Sequence, residues 1–395
     1  MGRIFNVNGA CNPDEHYMVN LDGRLEEIRV MIENGQYFTI NKARQYGKTT
    51  LLRALAAYLK KDYVVLSLDF QKIESDEYVS GSTFVHAMSR EINKKIRRMP
   101  DVSAEIKEKL VRLADGSYLN ARMAELFDCL SEWCEQSERP VVLIIDEVDT
   151  AANNQVFLDF LAQIRAYYLD RYETPAFQSV ILAGVHDIRN ISRKIRSEEE
   201  HKANSPWNIA ADFLVDMSFS ASDISGMLNE YESDHHTGMD IAQMAGLLYD
   251  YTSGYPYLVS RLCKYMDEQI RDISNGGETE GAWTKSGFLE AVKILLEDTN
   301  PLFESLIGKL DDYTELNDVI SKLLFQGQSI AYNPDDATIK NARMFGFVKV
   351  VDSKVMLANR IFEIRLYNYF LLKFSAQSSD IFEEGFRQKN ILCCS

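Results

Sequence analysis

Long apolar runs are missing from this sequence. Nowhere do about 18 apolar residues follow one another, so no segment reads as membrane-spanning. The N-terminal stretch MGRIFNVNGACNPDEHY has no apolar core of the secretory kind. Cysteine is sparse, 6 in 395 residues, too few for a disulfide framework. Cys129 and Cys134 lie five apart on an expected helix, a poor ligand spacing, and Cys393 and Cys394 end the chain on an expected exposed tail. A reducing, cytoplasmic setting is the expectation. Positive charge is also short. Lys and Arg number 43 against 59 Asp and Glu, a formal net charge of −16. That balance disfavours a broad nucleic-acid surface, which rests on clustered cations. It leaves local patches open at residues 90–98 and 189–196, both of which read as solvated helix faces. No Gly-x-Ser-x-Gly elbow, internal repeat or low-complexity tract occurs.

What is present is the composition of a globular protein, 46% hydrophobic and 26% charged, long enough for two or three domains. Up to residue 217, short apolar runs alternate with helical patterns. The runs are 37–40, 63–70, 141–145, 179–183 and 213–217, and a helix is expected from Thr49 to about Lys60. Continuous apolar strands separated by helices indicate a doubly wound α/β fold with a parallel sheet. Helical patterns then fill 218–299, with one break at Ser253-Gly254-Tyr255-Pro256, where glycine suits a left-handed cap and proline a helix start. Region 300–375 reads as three helices, a hairpin turning at Asp352-Ser353 and a closing helix, the outline of a winged helix. Residues 376–395 form a tail whose abrupt NILCCS ending reads as a truncation or a frameshift.

One tripeptide carries chemistry. Gly47-Lys48-Thr49 is the end of a phosphate-gripping loop whose full pattern, G-x-x-x-x-G-K-[ST], asks for glycine where this chain has Lys42. Alone, the tripeptide is common by chance. Here it follows an expected strand and opens an expected helix, whose first N–H groups and dipole favour an anion. The loop Lys42, Ala43, Arg44, Gln45, Tyr46, Gly47, with Lys48, Thr49 and Thr50, is therefore the candidate phosphate cradle. Lys42 suffices at its position if its φ is negative, since only φ > 0 demands glycine. Lys48 is expected to reach the β- and γ-phosphates, and Thr49 to hold Mg²⁺. A second element agrees: VVLIIDEVD is a buried strand ending in Asp146-Glu147. Paired carboxylates at such an end call for something positive opposite. Asp146 is the expected metal partner and Glu147 the group that polarises an attacking water.

The ordered segments YFTINKARQYGKTTLL, LIIDEVD, ILAGVHDIRNI, NSPWNIAADFLVDMSFS and YTSGYPYLVSRLCKYMDE resemble bacterial AAA-like ATPases related to the archaeal ATPases and the STAND group. The likeness spans about residues 4 to 375. It implies a P-loop core of the ASCE type, a helical lid and a winged helix, with ATP and Mg²⁺ as ligands. Longer relatives continue into a PD-(D/E)XK nuclease-like domain, beyond the point where this chain stops. By the same resemblance, His186, Asp187 or Arg189 occupies the sensor position, Pro256 matches a lid proline near the base, and Tyr17 is a candidate for stacking on adenine. His235-His236, with Asp234 and Asp240 nearby, reads as a solvated loop for want of a third ligand at fixed spacing.

Three functions compete for this sequence. The first is an ATPase whose nucleotide state sets lid and winged-helix position. The second is a nucleotide-held switch or scaffold with negligible turnover, acting on an unidentified protein partner. The third is a DNA-binding regulator. Glu147 favours the first over the second, and net acidity disfavours the third.

Overall fold

The computed structural model describes residues 2–115, 121–185, 207–270, 281–325 and 330–375. By internal contacts the chain forms two compact units. The first comprises Asn20–Ala43 with Gly47–Met217; the second comprises Met1–Val19, Arg44–Tyr46 and the chain from Ser218.

The first unit is built on a four-stranded parallel sheet of β1 (Phe38–Asn41), β2 (Val64–Asp69), β3 (Val141–Asp146) and β4 (Ser179–Gly184), in the order β1-β4-β3-β2. Every residue of β3 and β4 is buried, which explains their unbroken apolar sequence. The helices covering the sheet are α1 (Asp22–Glu33), α2 (Lys48–Leu59), α3 (Gly81–Ile96), α4 (Ala104–Ala114), α5 (Met123–Gln136) and α6 (Gln155–Leu169). On α2, Leu51, Leu52, Leu55 and Leu59 recur at helical spacing and are buried. A packed set of rings, Phe70, Phe84, Phe127, Phe157 and Phe160, fills the space between α3, α5 and α6. The basic run at 90–98 falls mainly on α3, where Arg90 pairs with Glu77 and Lys94 with Glu91. The run at 189–196 lies outside the described residues.

The fifth expected strand, 213–217, does not form. The segment is extended but makes no ladder, and a single parallel bridge joins Phe38 to Ala211 just before it. Leu214 is 87% exposed, while Val215 and Met217 are buried. An apolar run in sequence is here a half-buried extended segment, with Phe213 stacked on Phe38 at 5.8 Å.

In the second unit, α7 (Ala221–His235) begins with Ser220 and Asp223 capping each other, and α8 (Ile241–Thr252) with Asp240 accepting from the Gln243 N–H. After α8 both Ser253 (φ 47°) and Gly254 (φ 70°) are left-handed, and Pro256 opens α9 (Pro256–Lys264). Glycine is required at 254, because a Cβ there would overlap the Phe219 carbonyl oxygen. A π-helical turn, Tyr265–Ile270, continues α9, and α10 (Lys285–Glu297) follows. Next come α11 (Pro301–Asp312), α12 (Thr314–Phe325), β5 (Ile330–Ala331), α13 (Ala337–Met344), β6 (Val348–Val351) and β7 (Lys354–Leu357). The three strands form an antiparallel sheet of order β5-β7-β6, and α14 spans 360–375. The β6–β7 turn lies at Asp352-Ser353, both at positive φ, the geometry that matches strand twist.

The N-terminal residues depart from the expected core of 1–217. Contacts place residues up to Val19 with the second unit, because Phe5 and Tyr17 bury their rings against Tyr231, and Phe5 also packs on Trp283. His235 is also not in a loop. It is the last residue of α7, with its ring stacked on Tyr231 at 4.2 Å.

Candidate functional site

Strand β1 ends at Asn41, and six residues later Gly47, at φ 80°, caps α2. Lys42 is absent from the described residues with positive φ, so its side chain costs the backbone nothing there. The strained position is three residues on, at Gln45 (φ 56°). Left-handed residues in such a turn point successive N–H groups into a concavity, a common anion nest.

Lys48 is 7% exposed and donates through Nζ to the carbonyl oxygens of Lys42 at 2.9 Å and Ala43 at 3.1 Å. Its charge is thus held inside the bend of the loop. Thr49, the next residue, donates its hydroxyl to Asp146 Oδ2 at 2.7 Å. The parallel register explains the meeting. β3 delivers Asp146 at the carboxyl end of the sheet, the edge from which the β1–α2 loop departs, and pairs it with Asp69 of β2. Asp146 is 8% exposed and also accepts from the Glu147 N–H at 2.9 Å through Oδ1.

Glu147 sits in the left-handed region at φ 55°, where the chain turns sharply off β3. Burial, reinforced by the Asp146 charge, pushes its carboxyl above the ordinary carboxylate range, while the Lys48 charge opposes the shift. A carboxylate of raised proton affinity beside a buried cation is chemically suited to take a proton from water.

Gln45 belongs to the loop expected from sequence, whereas its neighbour Asn41 was not picked out there. The side-chain oxygens Asn41 Oδ1 and Gln45 Oε1 are buried and have no hydrogen-bond partner among the described residues. Orphaned polar atoms on both limbs of a loop with a buried lysine fit a polar ligand with its water shell. The donor set of Thr49 hydroxyl and Asp146 carboxylate is all oxygen, as a hard divalent cation prefers. Asp149, also unassigned from sequence, accepts from the Val185 N–H, and a Cβ on Gly184 would press on its carboxylate at 2.9 Å. It therefore anchors the end of β4. The expected sensor residues His186, Asp187 and Arg189 lie outside the described residues.

Thr50 lies in the first unit, on α2, whereas Arg44, Gln45, Tyr46, Pro256 and Tyr17 belong to the second. Arg44 is exposed, whereas Gln45 and Tyr46 are half-buried. Pro256 is buried at the first position of α9. Tyr17 is 2% exposed; its hydroxyl donates to Asp234 at 2.9 Å and Arg3 covers its ring at 4.8 Å. With its surface spent on these contacts, the ring is part of a core rather than an open stacking platform.

The model of the AAA-like domain family matches residues 14–371. Among solved structures, the chain is similar to the Walker-type ATPase PABY2304 of Pyrococcus abyssi, at 13% identity over 92% of this chain and 99% of that one, with a TM-score of 0.58. The ADP form of the Aeropyrum pernix ORC2 protein aligns over 94% of this chain and 97% of its own, at 13% identity and a TM-score of 0.44. The Thermotoga maritima RuvB Holliday junction branch migration motor aligns over 89% and 95%, at 12% identity and a TM-score of 0.37. No curated protein matches the chain. The first of these structures shares the fold; its identity to this chain is too low to transfer residue roles.

Proposed function

The chain belongs to the AAA-like domain family, and on that footing we propose that it binds ATP and hydrolyses it with Mg²⁺. The observation that carries this reading is the 2.7 Å contact between Thr49 Oγ1 and Asp146 Oδ2 beside the buried Lys48. Thr49 and Asp146 are the residues that would hold Mg²⁺, which when bound would neutralise charge developing on the phosphates. Lys48 exchanges its two carbonyl partners for phosphate oxygens, a charge-assisted contact worth about twice a neutral one. Amides of Arg44 to Thr50 line the phosphates. Glu147 accepts a proton from the attacking water, helped by its raised proton affinity.

The helices from Ala221 to Glu297 are read as a lid, and α11–α13 with β5–β7 as a winged helix. In this reading the nucleotide state sets the lid position, Pro256 lies against the base, and His186, Asp187 or Arg189 senses the γ-phosphate. A protein partner receives the change. The competing reading, a switch with negligible turnover, is disfavoured by Glu147. DNA binding is disfavoured by a net charge of −16.

The deciding experiment pairs calorimetric ATP titration with a steady-state phosphate-release assay, with and without DNA. Wild type should bind and turn over, and Lys48→Ala should lose detectable affinity. Equal affinity in the variant would sink the phosphate-loop reading. Binding without release would leave the switch. Stimulation by DNA would restore the third function.

A further inference from the structure

Tyr255 stands between two locked residues. Gly254 before it is held left-handed against Phe219, whose N–H donates to the Gly254 carbonyl at 2.8 Å. Pro256 after it closes the first turn of α9 with a fixed φ. The tyrosine backbone is thus set from both sides, and so is the direction in which its side chain leaves.

That side chain is 3% exposed and stays within the second unit. Its hydroxyl donates to the backbone carbonyl of Arg44. Its ring meets the Tyr46 ring edge-on at 4.7 Å and the Phe362 ring, on α14, at 5.4 Å. Phe362 in turn packs on Phe303 of α11 at 6.4 Å. Burial raises the phenol's proton affinity well above its usual value, so the hydroxyl remains a donor at any physiological pH.

The residue it holds lies in the phosphate loop. In a trans peptide the carbonyl and the following N–H point in opposite directions. In an anion nest the N–H groups face the ligand and the carbonyls face away. A donor that holds the Arg44 carbonyl from outside therefore fixes the Gln45 N–H inward. Gln45 is the non-glycine residue at φ 56°, a conformation costing about 1–3 kcal/mol that persists only where surrounding contacts enforce it. Tyr255 and the Tyr46 ring it packs against supply such contacts on either side.

We propose that Tyr255 is a positioning residue for the phosphate loop, holding the Arg44–Gln45 peptide in the orientation that receives a nucleotide phosphate. Through its ring contacts, phosphate affinity answers to α9, α11 and α14, the elements on which Tyr255 and Phe362 are mounted. The inference rests on the ATP-binding reading above and adds to it the residue that couples loop and helices.

Tyr255→Phe removes the hydroxyl and keeps the ring. In nucleotide-free protein, hydrogen exchange at the amides of residues 45–47 should quicken, with the rest of the chain unchanged. Affinity for ADP and for ATP should fall by the same factor, about 5- to 10-fold, the worth of one buried hydrogen bond. Affinity for adenosine should not move, a selectivity that a general loss of packing would not give. Phe362→Leu, which alters a ring packed on Tyr255, should weaken ADP in the same direction and by less. Unchanged exchange and unchanged ADP affinity in Tyr255→Phe, beside a wild type that binds, would overturn the proposal. A wild type that binds no nucleotide would defeat the functional reading instead. The exchange rates, read without any ligand, would still uphold or overturn the holding of the loop.

Discussion

Thr49 donates its hydroxyl to Asp146 at 2.7 Å, although the two residues are brought together only by strands far apart in the chain. The contact joins the start of α2 to the end of β3 at one corner of the sheet. Thr49→Val keeps the shape and removes the hydroxyl. Losing one such bond should cost at most about 1.5 kcal/mol of stability. The Mg²⁺ concentration for half-maximal phosphate release should rise by about 10-fold or more, as expected for loss of a metal-site oxygen. An unchanged Mg²⁺ requirement would remove Thr49 from the metal site.

Glu147→Gln should separate binding from chemistry. The amide keeps the size of the side chain, so ATP should still bind with Mg²⁺ while turnover falls by roughly 10²-fold or more. The pH profile supplies a second reading. Glu147 must be deprotonated to act, and burial and Asp146 raise its folded-state pKa. Wild-type turnover should therefore climb with pH through a limb lying above the ordinary carboxylate range, and the limb should vanish in the variant. The same shift has a sign for stability. Between the ordinary and the raised pKa the folded chain binds more protons than the unfolded one, so raising pH through that window removes stability. Equal loss of binding and turnover would assign Glu147 to structure.

Gly254→Ala tests the segment that mounts Tyr255 and Pro256. Its φ of 70° disfavours any Cβ, and the Phe219 carbonyl occupies the space. Strain and overlap together should cost about 2–4 kcal/mol, seen as a lower denaturant midpoint in urea unfolding. Wild-type stability in this variant would mean the backbone there is freely remade.

The lid reading predicts a nucleotide-dependent change near residues 217–221, where the chain passes from one unit to the other. Leu214 just upstream is 87% exposed and its segment makes no strand ladder, features of a protease-sensitive stretch. Limited proteolysis there should slow when ATP and Mg²⁺ are added. Identical digestion patterns with and without nucleotide would count against a lid that follows the ligand.

Much of this was legible in sequence wherever the cause is local. A β-branched run, then Gly47-Lys48-Thr49, then leucines at helical spacing, dictates strand, loop and helix from neighbours alone. VVLIID is apolar because β3 is covered on both faces, and its terminal carboxylates could be assigned as a pair for the same reason. Gly254 and Pro256 marked a helix boundary through their own backbone limits. The Asp352-Ser353 hairpin followed from residues that tolerate positive φ.

Only the tertiary structure decided what depends on partners distant in the chain. The apolar run at 213–217 carries a strand's composition, yet a strand exists only where a neighbour offers a ladder, and the described chain offers one bridge at Ala211. The resemblance made Tyr17 a candidate for stacking on adenine, but Phe5, Tyr231 and Asp234 claim it, and no spacing rule relates residues so far apart. Local pattern located the phosphate loop without naming what holds it. The hydroxyl on the Arg44 carbonyl belongs to Tyr255, a residue whose sequence neighbours disclose its backbone but not its contact. Backbone preference is written residue by residue, whereas the pairing of side chains is set by how the elements pack, and that is a property of the whole chain.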